Sequence, residues 1–380
     1  MQSFTLSRLP EIVFGAGRIA DLAGKAGQYA GADGAVLLVA DPTLTTLGIT
    51  GRVLEILTKA GFEAKVFDSL KGEPKAANID AAAAIARAIK AKVIVGLGGG
   101  SALDTAKLVA ACAASGLGAQ SYQLCEIPLP KNILPIIAIP TTAGTGSEVT
   151  RVSVFANAGK VKVWAWGEEL KPQVAILDPE LTVGVPAPIT AATGLDALVH
   201  AIEAATNNQR TDGNDLYALK AISLITENLE RAIMNPDDLE ARGALLLGSC
   251  YGGIAIDNCG TALAHNISHA MADLAPIPHG RATGLAMLAT MDWVSQGAAE
   301  AYGRVAKAMG TSNPITAYQR LVRATGMKIS LEGDGLDLGK PELLAERMAS
   351  PANAPMRKSN VRYPGDAELV ELAHLVYQLR

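Results

Sequence analysis

The sequence is poor in aromatic residues and has no marked excess of charge of either sign. Aromatic residues make up 4% of the 380 residues, so the cores of this 49% hydrophobic chain have to be built from Ala, Val, Ile and Leu. The formal net charge is −4, and no run of Lys and Arg stands out. Simple attraction to nucleic acid or to a membrane surface is therefore excluded as the basis of its function.

Cysteine is scarce, and long apolar runs are missing. The four cysteines form no Cys-x-x-Cys pair, and in a chain of this length we expect reduced core residues of a cytoplasmic protein, not disulfides: Cys112, Cys125, Cys250 and Cys259. The first ten residues lack the basic and apolar regions of a signal peptide. The longest uncharged apolar run, residues 243–256, is too short and glycine-rich to span a bilayer. We expect a soluble protein with no membrane partner.

Length and hydrophobic periodicity predict two domains of different class. Continuous apolar runs at 35–40, 93–97 and 133–139 are typical of strands buried on both faces, and a helical stretch covers 78–91. This alternation predicts a parallel sheet with helices on both faces, an α/β domain over residues 1–187. Helical patterns then dominate an all-α domain over 188–380, at 189–206, 211–232, 237–255, 257–275, 283–309, 313–326 and 366–379, with an irregular stretch at 329–365.

Two glycine-rich turns in the first half are candidates for phosphate binding. Gly15-Ala-Gly17-Arg-Ile-Ala20 matches the dinucleotide fingerprint, but the strand before it is short and no strand with an acidic end follows at the usual distance. We interpret it as an ordinary turn into a helix. The turn after residues 93–97 contains three glycines and Ser101 between a buried strand and a helix. Close backbone approach and helix N-terminal amides predict an anion site there.

The third strand leads into a segment of alternating glycine and hydroxyl residues, 140–150. Four threonines and a serine in eleven residues exceed ordinary turn chemistry, so the segment predicts a surface close to a polar ligand. Residues 152–166 then alternate like a hairpin around Asn157-Ala-Gly159, with Lys162 in its second strand.

Four of the five histidines fall in two short motifs of the second half. The pairs Asp196/His200 and His265/His269 have i,i+4 spacing, which puts each pair on one face of a helix, and His279 follows. Imidazole and carboxylate groups are common ligands of Fe(II), Zn and related ions. One aspartate and four histidines exceed the needs of an open site, so one histidine is expected to transfer protons, and the spacing does not decide between His265 and His269. The fifth histidine, on an amphipathic helix face near the C-terminus, is assigned no function.

A metal in one domain and a phosphate-binding turn in the other predict a cleft that receives a nucleotide. If that nucleotide carries nicotinamide, the chemistry is hydride transfer to a carbonyl that the metal polarises.

These motifs strongly resemble the iron-containing (group III) alcohol dehydrogenases in order and spacing, from about Phe14 to the C-terminus. The resemblance rests on Gly98-Gly-Gly-Ser101 with Asp104, the segment 140–150, Asp178-Pro179, Gly194-Leu-Asp196 with His200-Ala-Ile-Glu203, and His265, His269 and Pro278-His279-Gly280. It implies a dehydroquinate synthase-like fold with a Rossmann-like nucleotide site, an all-α metal-binding domain and a homodimer.

The resemblance also implies site residues. The iron ligands would be Asp196, His200, His265 and His279, with His269 as the catalytic proton relay. The cofactor-binding set would be Asp41, Gly98, Gly99, Ser101, Asp104, Thr141, Thr142, Thr145 and Lys162. Within that set, the Gly98–Ser101 turn meets the pyrophosphate, the threonines surround the nicotinamide half, and Lys162 and Asp41 contact the riboses. A carboxylate at position 41 would repel a 2′-phosphate, which favours NAD(H) over NADP(H).

The chain departs from the family pattern at three places that bear on substrate choice. Ile256 stands where an aromatic residue is frequent, and Arg281-Ala-Thr-Gly284 replaces a segment that contains Asn-Ala in many members. Near the C-terminus, a loop that often has small neutral residues contains Met356, Arg357 and Lys358. One hypothesis is that Arg281, Arg357 or Lys358 neutralises an anionic semialdehyde. The alternative is that these cations are solvated or face the cofactor phosphates.

The sequence thus predicts an Fe²⁺-dependent, NAD-linked alcohol dehydrogenase or aldehyde reductase for a small primary alcohol or aldehyde, with Zn²⁺ or another divalent ion as the alternative metal. Relatives on the same fold are the nearest alternatives: maleylacetate reductase, glycerol dehydrogenase or a dehydroquinate synthase-like lyase. The complete ligand set argues against the metal-independent reductases. A non-enzymatic nucleotide- or metal-binding protein is disfavoured, because no effector surface or DNA-binding element is evident.

Overall fold

The computed structural model describes residues 3–31, 34–70 and 72–380. The chain divides into two compact units. The first, called the sheet unit below, comprises the described residues of 8–142 and 146–183. The second, the helical unit, comprises the described residues up to Ser7 together with 143–145 and 184–380.

Eight strands lie in the sheet unit: β1 Glu11–Phe14, β2 Ala35–Ala40, β3 Glu63–Phe67, β4 Val93–Gly98, β5 Ile136–Pro140, β6 Val152–Ala156, β7 Lys162–Trp166 and β8 Val174–Leu177. Six of them form a parallel sheet in the order β1-β8-β5-β4-β2-β3, and β6 and β7 form an antiparallel hairpin. The inner strands β2, β4, β5 and β8 are buried along their whole length, which is why their sequences are continuous apolar runs. The edge strands β1 and β3 keep exposed positions.

Five helices pack in the sheet unit: α1 Leu22–Ala30, α2 Pro42–Thr46, α3 Ile49–Lys59, α4 Ala76–Ala88 and α5 Gly100–Ser115. The helical unit contains α6 Ala187–Thr206, α7 Asp212–Met234, α8 Leu239–Cys259, α9 Leu263–Ala272, α10 His279–Ser295, α11 Ala299–Ala308, α12 Pro314–Ala324, α13 Pro341–Met348, α14 Ala354–Ser359 and α15 Asp366–Tyr377. The fold class predicted from the sequence is confirmed. None of these helices, within the described residues, is long and apolar enough to cross a membrane.

The predicted helices differ from the observed ones mainly in where one helix ends and the next begins. Residues 257–275 are not one helix, because Gly260 ends α8 at a φ of 80° and α9 starts three residues later. Residues 283–309 divide into α10 and α11 around Gly297. The stretch 329–365, predicted to be irregular, contains α13 and α14. Proline stands in the first turn of both helices, where it is tolerated: Pro341 in α13 and Pro355 in α14.

Two further predictions concern single residues of the sheet unit. The fingerprint-like turn at Gly15–Ala20 is confirmed as an ordinary turn: the Gly17 and Ile19 amides donate to the Asp178 carboxylate at 3.1 and 2.9 Å. A phosphate would need those amides. The expectation that all cysteines lie in a core is wrong for Cys125, which is exposed, whereas Cys112, Cys250 and Cys259 are buried as predicted. Cys125 is the last residue of a 3-10 segment, Ala119–Cys125, whose buried residues are Ala119 and Tyr122.

Candidate cofactor and metal sites

The predicted cofactor residues of the sheet unit converge at the carboxyl ends of three neighbouring strands. Asp41 follows β2, Gly98 ends β4 and Thr141 follows β5, and β4 lies between the other two. The Asp41 amide donates to the Leu97 carbonyl at 3.1 Å, and the Thr141 amide donates to the Gly98 carbonyl at 3.0 Å. Ligands of open α/β sheets bind at this edge, so the placement supports a nucleotide site.

Close approaches require glycine at the turn between β4 and α5. A Cβ on Gly98, whose φ is 146°, would lie 2.8 Å from the Ala102 Cβ and 3.2 Å from the Asp41 Cβ. A Cβ on Gly99 would lie 3.1 Å from the Thr142 hydroxyl oxygen. Helix α5 begins at Gly100, so its first amides face this edge and can hold an anionic group.

Three other predicted cofactor residues already have protein partners. One Asp41 oxygen accepts the Thr43 amide at 2.8 Å and so caps α2. The Lys162 ammonium, on β7, lies 3.0 Å from a Glu73 carboxylate oxygen. Both Asp104 oxygens accept bonds from the segment after the threonines, from the Ser147 hydroxyl at 2.6 Å and the Val154 amide at 2.9 Å. Asp104 therefore anchors this segment to α5, which differs from its predicted role as a direct cofactor contact.

The predicted metal ligands converge in the helical unit. Helix α6 carries Asp196 and His200, α9 carries His265, and His279 is the first residue of α10. The Nε2 atoms of His265 and His279 each lie 3.7 Å from Asp196 Oδ1, and one ligand atom from each of the three residues falls within 4.8 Å of the others. The His200 and His265 rings stack with centroids 4.5 Å apart. Ligand atoms of Asp196, His265 and His279 thus meet around one point, and the His200 ring packs against His265 beside it.

The donors in this cluster fit a divalent cation. Asp196 is 2% exposed, and its Oδ1 atom accepts no hydrogen bond from the described residues. A buried carboxylate oxygen without such a partner is costly unless a cation compensates its charge. Three imidazoles and a carboxylate suit Fe(II) or Zn(II).

Burial keeps the His200 imidazole neutral. Desolvation lowers its pKa, and the neighbouring Asp196 carboxylate opposes this effect without outweighing it. Its Nδ1 lies 3.3 Å from the Gly144 carbonyl oxygen, to which it can donate, and this tautomer leaves the Nε2 lone pair for a cation. Gly144 has to be glycine, because a Cβ there would lie 2.7 Å from the Thr193 Cβ.

Glu203 is a site residue that the sequence prediction missed. Its carboxylate accepts the Ala262 and Ala264 amides and lies 2.7 Å from His265 Nδ1. Burial would raise the Glu203 pKa, but His265 and these hydrogen bonds outweigh that effect and lower it. The ionised carboxylate can only accept, so it holds the proton on Nδ1 and leaves Nε2 as the ligand atom. Glu203 belongs to the His200-Ala-Ile-Glu203 motif, but its partners lie some sixty residues later.

The histidine predicted to relay protons adjoins this cluster. The His269 ring lies at a centroid distance of 5.6 Å from the His279 ring, edge to face, and is partly exposed. The histidine near the C-terminus, His374, is exposed on α15.

Two of the three candidate substrate cations are engaged in ion pairs. Arg281 lies 2.8 Å from Asp334 and donates to the Ser330 carbonyl. Arg357 lies 2.7 Å from Asp366, whereas Lys358 is exposed. The two apolar residues predicted to lie near the substrate are shielded from solvent. Ile256 is partly buried against the core of the helical unit, and the Met356 residue is 9% exposed.

Comparison with known proteins places both units in one family. The family model for iron-containing alcohol dehydrogenases matches residues 10–179, and that for the C-terminal region of the same family matches residues 190–375. The NAD-dependent methanol dehydrogenase of Bacillus methanolicus is 33% identical over 89% of this chain and 87% of its own. The 1,3-propanediol dehydrogenase of Klebsiella pneumoniae is 33% identical over 87% and 86%. The sulfoacetaldehyde reductase of Bifidobacterium kashiwanohense, solved with NAD⁺, is 28% identical with a TM-score of 0.91 over all of both chains.

Proposed function

Because this chain belongs to the iron-containing alcohol dehydrogenase family, we propose that it interconverts a small primary alcohol and its aldehyde with NAD(H) and a divalent iron ion. The observation that carries this proposal is the meeting of Asp196, His265 and His279 around one point, with a buried carboxylate oxygen that a cation would satisfy. The glycine turn beside Thr141 and Thr142 supports a dinucleotide site in the other unit.

Different side chains would serve different steps of this reaction. Asp196, His200, His265 and His279 would hold the ion. When bound, the ion supplies Lewis acidity toward a carbonyl oxygen, and the nicotinamide supplies or takes the hydride. Glu203 keeps His265 in the ligating tautomer, and burial keeps His200 neutral. His269 is the group next to the cluster that can pass a proton between the substrate oxygen and solvent.

The test is NADH oxidation by metal-stripped protein with and without anaerobic Fe(II), using a short aldehyde. We expect turnover only with the metal, and a loss of at least about a thousandfold in kcat/KM for His279→Ala. His374→Ala, which removes an exposed histidine of the same unit, should act like the wild type. Equal turnover by stripped and loaded protein would contradict the proposal.

The substrate proposed is a neutral aldehyde. Arg281 is already paired with Asp334, which Lys328 shares, and Arg357 with Asp366. Lys358 is left as the one candidate cation for which the structure offers no carboxylate among the described residues. Butyraldehyde and succinic semialdehyde have the same four-carbon chain and differ in one carboxylate. We expect kcat/KM to favour butyraldehyde by about tenfold or more, since an unpaired buried charge is costly. A preference for the semialdehyde that Lys358→Met removes would overturn this assignment.

We also propose that the chain is a cytoplasmic homodimer. Family membership supports the dimer, and the small number of cysteines, with no Cys-x-x-Cys pair, is consistent with a reducing compartment. Sedimentation at several protein concentrations and fractionation of the source cells would test the two statements separately.

A further inference from the structure

His279 is the most exposed of the three residues whose ligand atoms meet. Its side chain is 29% exposed, compared with 4% for His265 and 3% for Asp196. It stands at the first position of α10, where the preceding residues are not helical. A ring at such a position can rotate unless a specific contact holds it.

Two fully buried hydroxyl groups supply that contact. The Ser268 oxygen, on α9, lies 3.1 Å from His279 Nδ1, and the Thr283 hydroxyl, one turn along α10, donates toward the Ser268 oxygen at 3.1 Å. The Thr283 hydroxyl also lies 2.8 Å from the His279 carbonyl oxygen. Ser268 and Thr283 are both 0% exposed, so no solvent competes for these bonds.

We propose that Ser268 and Thr283 are positioning residues for the metal site, which aim His279 Nε2 at Asp196. This inference rests on the proposed function. A histidine that binds a cation through Nε2 carries its proton on Nδ1, and that proton needs an acceptor. Ser268 is that acceptor, and its own hydroxyl proton can turn to the His279 carbonyl oxygen, 3.4 Å away. The Thr283 hydroxyl lies 3.1 Å from the Ser268 oxygen and 2.8 Å from the His279 carbonyl oxygen, and by contacting both it keeps the Ser268 oxygen in place.

The two histidines on either side of Asp196 are therefore held by different chemistry. Glu203 can only accept, and it fixes the tautomer of His265. A serine hydroxyl either donates or accepts, so Ser268 can follow the His279 ring through both neutral tautomers without moving. Thr283 lies in the Arg281–Gly284 segment that departs from the family pattern.

The experiment measures Zn²⁺ affinity of metal-stripped protein by competition with a chromophoric chelator, which requires no turnover. We expect Ser268→Ala and Thr283→Val to weaken Zn²⁺ binding by about 10- to 100-fold, the usual effect of losing a partner of a ligating histidine. Thr283→Ser, which keeps the hydroxyl and loses a methyl group, should bind like the wild type. The matched control is Thr290→Val, because Thr290 is also buried on α10 and donates to the Ala286 carbonyl at 2.7 Å.

The outcomes separate this inference from the function it rests on. If the wild type binds neither Zn²⁺ nor Fe²⁺, the proposed function fails. Suppose instead that the wild type binds Zn²⁺. If the Zn²⁺ affinities of Ser268→Ala and Thr283→Val are then within twofold of that of Thr290→Val, the positioning role is overturned. Weak binding by Thr283→Ser with normal binding by Thr283→Val would also overturn it, since packing and not the hydroxyl would then matter. Circular dichroism of each metal-stripped variant checks that it is folded. If Ser268→Ala does not fold, the comparison of Zn²⁺ affinity between Thr283→Ser and Thr283→Val is the test.

Discussion

At the scale of single residues, the metal cluster depends on carboxylates that are fully removed from water. Glu203 accepts two backbone amides at 2.7 Å besides facing His265, so one side chain both caps α9 and orients a ligand. A neutral amide cannot replace it, because its NH₂ group would meet other donors.

The first prediction concerns Glu203→Gln. We expect about 10- to 100-fold weaker Zn²⁺ binding, because His265 loses the acceptor for its Nδ1 proton. The metal-free protein should also lose about 1–3 kcal/mol of unfolding free energy, since a buried amide is left without an acceptor. Glu227→Gln, at an exposed position on α7, serves as the control. Unchanged affinity in Glu203→Gln would mean that the carboxylate does not set the His265 tautomer.

The second prediction concerns Glu148 and pH. Burial raises its pKa to about 7, although its own amide and Lys107 act in the opposite direction. Between its ordinary value of 4.5 and about 7, the folded state holds a proton that the unfolded state releases, so stability falls as pH rises through this window. The whole effect is about 3 kcal/mol. Glu148→Gln should therefore raise the melting temperature at pH 8 but not at pH 4.5, and exposed Glu180→Gln should change neither. A melting temperature of the wild type that is flat from pH 5 to 8 would contradict this.

At the scale of elements, α5 and the segment 147–154 form one rigid piece of the cofactor edge. Besides the two bonds to the Asp104 carboxylate, the Ser153 hydroxyl donates to the Asp104 carbonyl oxygen at 2.8 Å. The fully buried Lys107 ammonium donates to the Thr150 hydroxyl at 3.1 Å and the Val152 carbonyl at 2.8 Å. The same helix starts at the glycine turn, and the same segment continues from the threonines, so these bonds fix two parts of the proposed nucleotide site relative to each other.

The third prediction is that Asp104→Asn weakens NADH binding by about tenfold, which corresponds to the loss of one charge-assisted hydrogen bond. The asparagine NH₂ group would face the Val154 amide as a second donor. Asp80→Asn is the matched control, because Asp80 also accepts a backbone amide, that of Ala119, at 2.7 Å in the same unit. Fluorescence titration with NADH measures both. Equal affinity in the two variants would show that the anchoring is not needed for the cofactor site.

The elements that sequence reasoning predicted well are those whose pattern is set locally. The inner strands are buried on both faces, so β2 and β4 appear as apolar runs, whereas the edge strand β3, Glu63–Phe67, alternates over five residues and escaped prediction. Helix ends were harder, because long-range contacts decide them: α9 starts where Glu203 of α6 accepts its first amides. The same reason hid Glu203, Ser268 and Thr283 from the site prediction, whereas the Asp196/His200 pair could be recognised from its i,i+4 spacing.

At the scale of the whole molecule, the residues proposed to bind the metal and those proposed to bind the nucleotide lie in different units. The residues that would hold the metal lie on α6, α9 and α10, all in the helical unit, and the glycine turn lies in the sheet unit. Family motifs could predict each half because each depends on a few residues at fixed spacing in the sequence. The orientation of their side chains depends instead on partners from distant helices.

The final prediction is that a bound metal stabilises the helical unit in particular. A ligand that binds only the folded state at a hundred times its Kd adds about 2.7 kcal/mol of stability. Under Zn²⁺ or anaerobic Fe²⁺, hydrogen exchange should slow in peptides covering α6, α9 and the start of α10, where Asp196, His265 and His279 lie. Peptides from β2 and β3 provide the internal reference. In His279→Ala the protection should disappear at the same metal concentration, while His374→Ala should retain it. Protection that is equal in every peptide, or that survives His279→Ala, would place the metal somewhere other than at this cluster.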